Sequence, residues 1–233
     1  MIKRVFNKLK RVIFEPLKQR QIARAVRRGY KLATRRELQA LLAAPALIND
    51  PEIAVFEKYA PIAQKTIVEI GAAYGGSSLL FLMNKKNGVK VFSIDPFVKD
   101  SMGDFQATEK KCFSHVSRAL RRIGLGERVR NWILIPEFSF NVVKNWSEPI
   151  DVLFIDGDHH YEAVKKDFDD WFRYVKVGGF ILFHDSCRPG NMGTGYDRGW
   201  PGPSKLVREL KEDHRGEIVE QVHSVTVMKK LNE

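Results

Sequence analysis

The sequence has 233 residues, enough for one α/β domain with a complete hydrophobic core, and it contains no apolar run long enough to predict a transmembrane helix. The net charge of +11 is concentrated at one end: residues 1–36 hold 13 of the 39 Lys and Arg and one of the 28 acids, leaving 26 bases and 27 acids elsewhere. A body close to neutral argues against a catalytic domain that binds nucleic acid over its whole surface.

Residues 1–36 form a basic arm with a helical pattern. Apolar residues recur at spacings of three and four from Ile2 to Leu17, with Lys and Arg between them, which predicts an amphipathic helix that Pro16 kinks or ends. Three interpretations remain open. The arm could lie on an anionic membrane surface, pack against the body or a second subunit of a homo-oligomer, or, less favoured, bind a nucleic acid or another acidic polymer.

Residues 37–64 are predicted to be a helical lead-in to the main domain. A short apolar face at 38–42 is followed by Ala44-Pro45 and Asp50-Pro51. Both pairs are expected to interrupt helix, because a residue that precedes proline is pushed out of the helical conformation. A further helix is predicted over 53–59.

Residues 65–233 alternate between strand and helix patterns. Strands are predicted at 66–70, 89–94, 132–135, 152–155, 180–183, 217–222 and 224–228, and helices at 76–83, 105–123, 138–146, 160–174 and 204–213. Alternation of this kind predicts a parallel sheet with helices on both faces. The last two strands are too close in sequence to be parallel, so they form an antiparallel hairpin. The predicted fold is a Rossmann-like α/β domain with a mostly parallel seven-stranded sheet.

Ligands of such sheets bind beyond the carboxyl ends of the strands, so the residues that follow each strand are candidates for a site. The first strand runs into a glycine-rich turn, where Gly71 permits a tight turn and Gly75 permits close approach of a ligand to the backbone. The next helix directs its N-terminal amides at the same place. The predicted cofactor-binding residues of this turn are Glu69, Gly71, Ala72, Tyr74, Gly75 and Ser77. A purely structural strand-to-helix turn is the alternative.

Polar residues after the second and third strands extend this prediction. Asp95 lies about twenty residues beyond the turn, the spacing at which an acid binds the ribose hydroxyls of an adenosine. Glu137 or Ser139 is predicted to face the adenine edge. The alternatives are that Asp95 is an ordinary turn residue and that Ser139 caps the next helix.

The densest group of titratable side chains follows the fourth and fifth strands. It consists of Asp156, Asp158, His159, His160, His184 and Asp185. Oxygen-rich groups of this kind suit Mg²⁺, Mn²⁺ or Ca²⁺, with a histidine left over as a general base. His159 is the favoured base and His160 the second choice. The alternative is that these residues cap helices and bond one another.

Several of these motifs together resemble a known family. They are Glu69-x-Gly71 with Gly75-Gly76-Ser77-Ser78, Ile94-Asp95-Pro96, Phe154-Ile155-Asp156-Gly157-Asp158-His159-x-Tyr161, and Gly178-Gly179 followed by His184-Asp185. They look like the class I S-adenosylmethionine (SAM)-dependent small-molecule O-methyltransferases, and most like the subgroup of macrolide and aminocoumarin sugar O-methyltransferases and cephalosporin-hydroxylase-like proteins. The resemblance covers residues 65–230.

The resemblance implies SAM as cofactor and a divalent metal, Mg²⁺ or Mn²⁺, held by acids after the fourth and fifth strands. Asp156 and Asp185 match those positions, and Asp156 is also expected to contact cofactor and acceptor. His184 stands where relatives often have Asp or Glu. It could still bind the metal, or the site could be metal-free with His159 as base.

We therefore predict a metal-assisted O-methyltransferase that acts on a hydroxyl of a saccharide or of a glycolipid or polysaccharide precursor. The loop 186–203, with Tyr196, Trp200 and Arg188 among glycines, is predicted to be a substrate lid. Alternatives are an RNA or a phenolic or antibiotic acceptor, or a hydroxylase-like activity. The last is disfavoured because no two-His-one-carboxylate iron motif occurs at a suitable spacing.

A cytoplasmic location is expected, either free or peripheral on the inner face of the membrane through residues 1–36. The N-terminus lacks the apolar core of a signal peptide. The two cysteines, Cys112 and Cys187, lie far apart, and we expect both to be reduced thiols.

Overall fold

A computed structural model describes residues 48–98, 107–186 and 200–233. Predictions for the basic arm, for the lead-in before residue 48 and for most of the loop 186–203 lie outside the described residues. The described helices are α1 (Asp50–Tyr59), α2 (Gly76–Asn84), α3 (Glu109–Arg122), α4 (Ser139–Val142), α5 (Tyr161–Phe172) and α6 (Pro201–Leu210). The strands are β1 (Thr66–Ile70), β2 (Lys90–Ile94), β3 (Trp132–Ile135), β4 (Ile150–Ile155), β5 (Val175–Phe183), β6 (Gly216–Val222) and β7 (Val225–Lys230). No described helix is long and apolar enough to cross a membrane.

The seven strands form one sheet in the order β3-β2-β1-β4-β5-β7-β6. Strands β1 to β5 are parallel, and β7 lies antiparallel between β5 and β6. The predicted fold, a mostly parallel sheet with a C-terminal antiparallel hairpin, is confirmed. Strand order reverses between β1 and β4, which is where open sheets of this type bind ligands.

The register brings the carboxyl ends of the central strands level with one another. Ile70 pairs with Ile94 on one side and with Ile155 on the other, and Ile155 pairs with Phe183. The residues that directly follow β1, β2, β4 and β5 therefore begin at the same edge of the sheet. This edge, from here on called the carboxyl rim, contains the candidate site.

Both faces of the sheet are covered, as the unbroken apolar runs of its central strands require. Every residue of β1 and β4 is buried. Helices α1, α2 and α3 pack on one face, where the rings of Phe56, Phe81 and Phe154 meet edge to face at 4.8–5.7 Å. Helices α5 and α6 pack on the other face around Phe168 and Trp171. A rim between two packed layers is held rigidly.

Several element boundaries differ from the sequence predictions. Helix α1 begins at Asp50, because Pro51 occupies its first turn, where a missing N–H costs no hydrogen bond. Asp50, expected to be pushed out of helix, is therefore helical, and the chain is non-helical at 48–49 directly before it. Strand β5 begins at Val175, which pairs with Ile150 at the opposite end of the sheet. Helix α6 begins at Pro201, so the predicted loop ends before that residue.

Candidate active site

The turn after β1 is pressed against the end of β4. Gly71 has a φ of +93°, and a Cβ at this position would lie 1.9 Å from the carbonyl oxygen of Asp156. Only glycine fits, because both the backbone conformation and the space exclude a side chain. The glycine turn and the polar residues after β4 are therefore in direct contact.

Asp95, at the end of β2, fixes the shape of this turn. One of its carboxylate oxygens accepts the backbone N–H groups of Ala72 and Ala73 at 2.9 and 2.8 Å, and the other accepts the N–H of Phe97 at 2.7 Å. A carboxylate offers about four acceptor positions, so about one remains for a ribose hydroxyl. Ribose binding by Asp95 stays a prediction, and its role in holding the turn is an addition to it.

Glu69 lies beneath the turn and is fully buried. The hydroxyls of Ser78 and Ser93 donate to one of its oxygens, and the indole of Trp132 donates to Ser93 at 2.9 Å. Burial raises the pKa of Glu69 to about 7, while its hydrogen bonds with serine hydroxyls act in the opposite direction. In this arrangement Glu69 shapes the turn from below, and a direct contact with cofactor stays a prediction.

The remaining predicted turn residues lie around the start of α2. Gly75 precedes the helix with a φ of +85°. Ser77 is buried in the first helical turn, and the ring of Tyr74 lies 6.3 Å from that of His115 on α3. The amide groups of this helix N-terminus are the part of the turn suited to a negatively charged group.

The two predicted adenine contacts after β3 are engaged within the protein. Glu137 accepts the backbone N–H of Phe138 at 2.7 Å. The Ser139 hydroxyl donates to Asp167 of α5, and Phe138 rather than Ser139 precedes the helix. The capping alternative for Ser139 is therefore wrong. Burial raises the pKa of Asp167 to about 6, partly offset by that hydrogen bond.

Four of the six titratable residues after β4 and β5 meet in one cluster. His184 Nδ1 lies 2.9 Å from Asp156 Oδ1 and 3.4 Å from Asp185 Oδ2. His159 Nε2 lies 3.2 Å from Asp185 Oδ2 and 3.9 Å from Asp156 Oδ1. We call Asp156, His159, His184 and Asp185 the rim cluster. It unites two imidazoles and two carboxylates from two separate segments, and Asp156 and His184 are 28 residues apart in the sequence.

The other two residues of the group point away from the rim cluster. His160 Nδ1 lies 2.6 Å from the Asp158 carboxylate, which also accepts the backbone N–H of His160 at 2.8 Å. Their side chains are 75% and 58% exposed, against 30% for His159. The structure thus separates His159, the favoured base, from His160.

The chain conformation after β5 turns Asp185 back toward the histidines. Asp185 has a φ of +47°, a left-handed conformation that Asp tolerates better than most residues. The next residue, Ser186, is buried and its hydroxyl bonds to the carbonyl of Ser224 and to Thr226. The chain returns to the rim at Trp200, whose N–H donates to the Asp185 carbonyl at 2.8 Å.

Trp200 stacks on His159, with ring centroids 4.9 Å apart and an interplanar angle of 27°. Gly202, two residues later, allows the start of α6 to approach the backbone of 159–161, since a Cβ there would lie 2.1 Å from the His159 carbonyl oxygen. The position of Trp200 over His159 is therefore fixed by backbone packing.

Two residues of the site were missed by the sequence analysis. Glu52 of α1 is completely buried, and one of its oxygens lies 3.2 Å from His184 Nε2. His223, in the turn between β6 and β7, places Nδ1 2.6 Å from the other oxygen of Glu52. Sequence offered no signal for either residue, because the partners lie 132 and 171 positions away.

Charges in the rim cluster stabilise one another. Burial alone would lower the pKa of His184, but its contacts with Asp156, Asp185 and Glu52 raise it well above the usual value. Contact with His184 lowers the pKa of Glu52 despite its burial, and contacts with His159 and His184 lower the pKa of Asp185. Burial raises the pKa of Asp156.

The donor set fits a divalent cation. Asp156, His184 and Asp185 each offer one ligand atom, and these atoms lie within 4.8 Å of one another. The two carboxylate oxygens suit Mg²⁺ or Mn²⁺, whereas the imidazole nitrogen is a ligand more typical of Zn²⁺ or Fe²⁺. Glu52 supplies a further feature of such sites, because metal-binding histidines usually donate their second N–H to a carboxylate behind them.

Comparison with known proteins identifies a methyltransferase domain in the chain. A family model described as methyltransferase domain matches residues 68–186. An uncharacterised protein of Acanthamoeba polyphaga mimivirus is 34% identical over 124 residues, which cover 52% of this chain and 51% of that protein. An uncharacterised protein of Sinorhizobium fredii is 27% identical over 176 residues, covering 69% of this chain and 18% of that protein. The chain thus spans about half the length of the first relative and 18% of the second.

Solved structures with the same fold include several methyltransferases. One is the O-methyltransferase TomG from Streptomyces achromogenes, involved in tomaymycin synthesis and solved with SAM, with a TM-score of 0.57 and 11% identity over 84% of this chain and 87% of that one. Another is a methyltransferase from Geobacter sulfurreducens, with a TM-score of 0.58 and 16% identity over 81% of this chain and 83% of that one. At these identities the likeness concerns the fold.

Proposed function

The chain belongs to the methyltransferase-domain family, and we propose that it transfers the methyl group of SAM to a hydroxyl oxygen with the help of a divalent cation. The transfer joins the methyl carbon to the acceptor oxygen and leaves S-adenosylhomocysteine. The hydroxyl proton passes to a base of the protein. The proposed acceptor is a saccharide or a glycolipid or polysaccharide precursor.

One observation supports this proposal above the others: the glycine turn and the rim cluster share a backbone contact. Gly71 approaches the carbonyl oxygen of Asp156 so closely that a cofactor bound at the turn ends beside the cluster. In-line transfer requires the methyl donor and the acceptor oxygen to lie side by side. This juxtaposition provides both halves of the reaction at one place.

The residues of the cluster divide the chemical tasks. Asp156, Asp185 and His184 Nδ1 would hold the cation, which supplies a lowered pKa of the bound acceptor hydroxyl. His159 Nε2, beside Asp185, would accept the hydroxyl proton. Its contacts with Asp185 and Asp156 raise the pKa of His159 despite burial, so the neutral, basic form is favoured by alkaline conditions.

The proposed saccharide acceptor rests on the aromatic surface at the rim. Trp200 stacks on His159 and is fixed there by the packing of α6. Indole faces bind the apolar faces of sugar rings while neighbouring polar groups bind the hydroxyls. The near-neutral body supports a small or glycan acceptor over RNA.

The test is transfer of an isotope-labelled methyl group from SAM to mono- and oligosaccharides, phenols and a transcribed RNA, in Mg²⁺ or Mn²⁺. Label appearing in a base-stable ether of a saccharide is the expected result. Label in the phenol or in the RNA would show that the acceptor is of that class and not a saccharide. If a folded protein that binds SAM labels no acceptor, O-methyl transfer to these classes is contradicted.

A hydroxylase-like activity has one observation in its favour. The fold brings His159 and His184 beside Asp156, although their sequence spacing did not suggest such a site. Two imidazoles and a carboxylate are typical ligands of Fe²⁺ in oxygenases. Oxygen consumption with added Fe²⁺ and no SAM, measured on the same acceptors, distinguishes this activity from methyl transfer.

A further inference from the structure

Glu52 is a fully buried acidic residue at the carboxyl rim. It comes from α1, before the first strand, and lies outside the segment 68–186 that matches the family model. Its carboxylate contacts His184 on one side and His223 on the other. The family match therefore assigns no role to Glu52, and a role must be inferred from its contacts.

We propose that Glu52 is the positioning residue of the cation site, because it fixes the ring of His184 so that Nδ1 faces Asp156 and Asp185. This inference rests on the proposed function. To the proposed cation site it adds a buried carboxylate, that of Glu52, which lies behind the ligand His184 and comes from a helix that precedes the sheet.

The hydrogen bonds of Glu52 determine which nitrogen of His184 carries a proton. The Glu52 carboxylate accepts the backbone N–H of Asn49 at 2.6 Å, the backbone N–H of Ser224 at 3.3 Å and the Ser224 hydroxyl. Surrounded by donors, the carboxylate acts only as an acceptor. His184 Nε2, 3.2 Å away, must therefore donate to it.

A fixed proton on Nε2 leaves Nδ1 as the ligand atom. Nδ1 lies 2.9 Å from Asp156 Oδ1 and 3.4 Å from Asp185 Oδ2, so it already faces the oxygens with which it would share a cation. Nδ1 gives up its own proton when a cation binds. Without the Glu52 acceptor, the ring could turn or exchange its protonated nitrogen, and the site would lose one ligand.

The neighbours of Glu52 prevent it from moving. His184 is 3% exposed and Glu52 is not exposed at all, so bulk water does not compete for the contact between them. His223, which has a φ of +54°, adds a contact of 2.6 Å from the turn between β6 and β7. The helix α1, the rim and the C-terminal hairpin are thereby joined at one carboxylate.

The experiment compares Mn²⁺ binding to the full chain and to Glu52→Gln, measured as the loss of the free Mn²⁺ electron paramagnetic resonance signal. We expect the substitution to weaken binding about 10- to 100-fold, the usual effect of removing a carboxylate behind a ligating histidine. Asp151→Asn is the matched control. Asp151 is also a buried carboxylate that accepts backbone N–H groups, but it lies at the opposite end of β4, so Mn²⁺ binding should not change.

His223→Asn provides a second variant if Glu52→Gln fails to fold. His223 is at the surface of the hairpin, with 21% of its side chain exposed, and Asn tolerates the left-handed backbone. We expect weaker Mn²⁺ binding than in the wild type, by a smaller factor than for Glu52→Gln. Equal Mn²⁺ affinity in the wild type and in the folded variants would overturn the proposed role of Glu52 and leave the metal-assisted function standing. Absence of Mn²⁺ binding to the wild type would overturn the metal-assisted function and this inference with it.

Discussion

Gly71 and Asp156 touch through their backbones: a Cβ on Gly71 would lie 1.9 Å from the Asp156 carbonyl oxygen. The contact joins the turn after β1 to the rim cluster after β4, so the proposed cofactor turn and the proposed cation site share one wall. A substitution at either residue should therefore affect both the proposed SAM binding and the proposed cation binding.

Gly71→Ala should abolish SAM binding and lower thermal stability. The substitution adds a methyl group where no space exists and forces a non-glycine residue into positive φ. Gly88→Ala is the matched control, because Gly88 has a φ of +81° and nothing within 4 Å of an added Cβ. Equilibrium dialysis with labelled SAM, at a temperature where both variants are folded, measures the effect. Unchanged SAM affinity in Gly71→Ala would contradict a cofactor site at this turn.

His159→Asn should lower kcat by about 10²- to 10⁴-fold, the usual contribution of a general base, and leave SAM affinity unchanged. The side chain lies at the rim cluster rather than at the turn. His160→Asn tests the alternative base and should have little effect, because that ring is paired with Asp158 at the surface. Steady-state methyl transfer reports kcat, and loss of activity in His160→Asn alone would reverse the assignment.

Removal of divalent cations should raise the activation free energy of methyl transfer by several kcal/mol, because the cation would no longer stabilise the transition state. Dialysis against a chelator is expected to abolish measurable turnover, and added Mg²⁺ or Mn²⁺ should restore it. Asp185→Asn removes a ligand beside both histidines, so its activity should not return at the same cation concentration. Full activity after chelation would favour the metal-free mechanism in which His159 acts alone.

Asp167 should make folding stability depend on pH. Its pKa is raised to about 6 by burial, so the folded chain holds this proton more tightly than the unfolded chain, and ionisation destabilises the fold as pH rises from about 4 to about 6. Asp167→Asn keeps an acceptor for the Ser139 hydroxyl and removes this cost. Its free energy of unfolding, relative to the wild type, should rise by about 2 to 3 kcal/mol between pH 4 and pH 7. Denaturant unfolding at the two pH values measures it, and a difference that stays constant or falls would contradict the burial of an ionised Asp167.

Much of the fold could be predicted from the sequence, because its determinants are local. The β-branched run at 66–70 and the polar residues that follow each strand gave the sheet, its parallel strands and the edge that carries the site. The closeness of β6 to β7 required the antiparallel hairpin. Asp50 lies inside α1 although it precedes Pro51, because proline is tolerated in the first turn of a helix.

The rim cluster could be predicted only in part. Its members are determined by the direction in which each side chain points and by contacts with residues distant in the sequence. His159 and His160 are adjacent in sequence, yet one faces Asp185 and the other faces Asp158 at the surface. Glu52 looked like an ordinary residue near a helix start, and its contact with His184 depends on how α1 docks on the sheet. No periodic pattern encodes such a contact.

The most direct test of the account is a calorimetric titration of the full chain with SAM. The account predicts one SAM per chain, bound at the turn after β1, with binding lost in Gly71→Ala and retained in Gly88→Ala. A correctly folded wild-type chain that releases or takes up no heat with SAM, and that also fails to bind S-adenosylhomocysteine, would contradict the proposed methyl transfer.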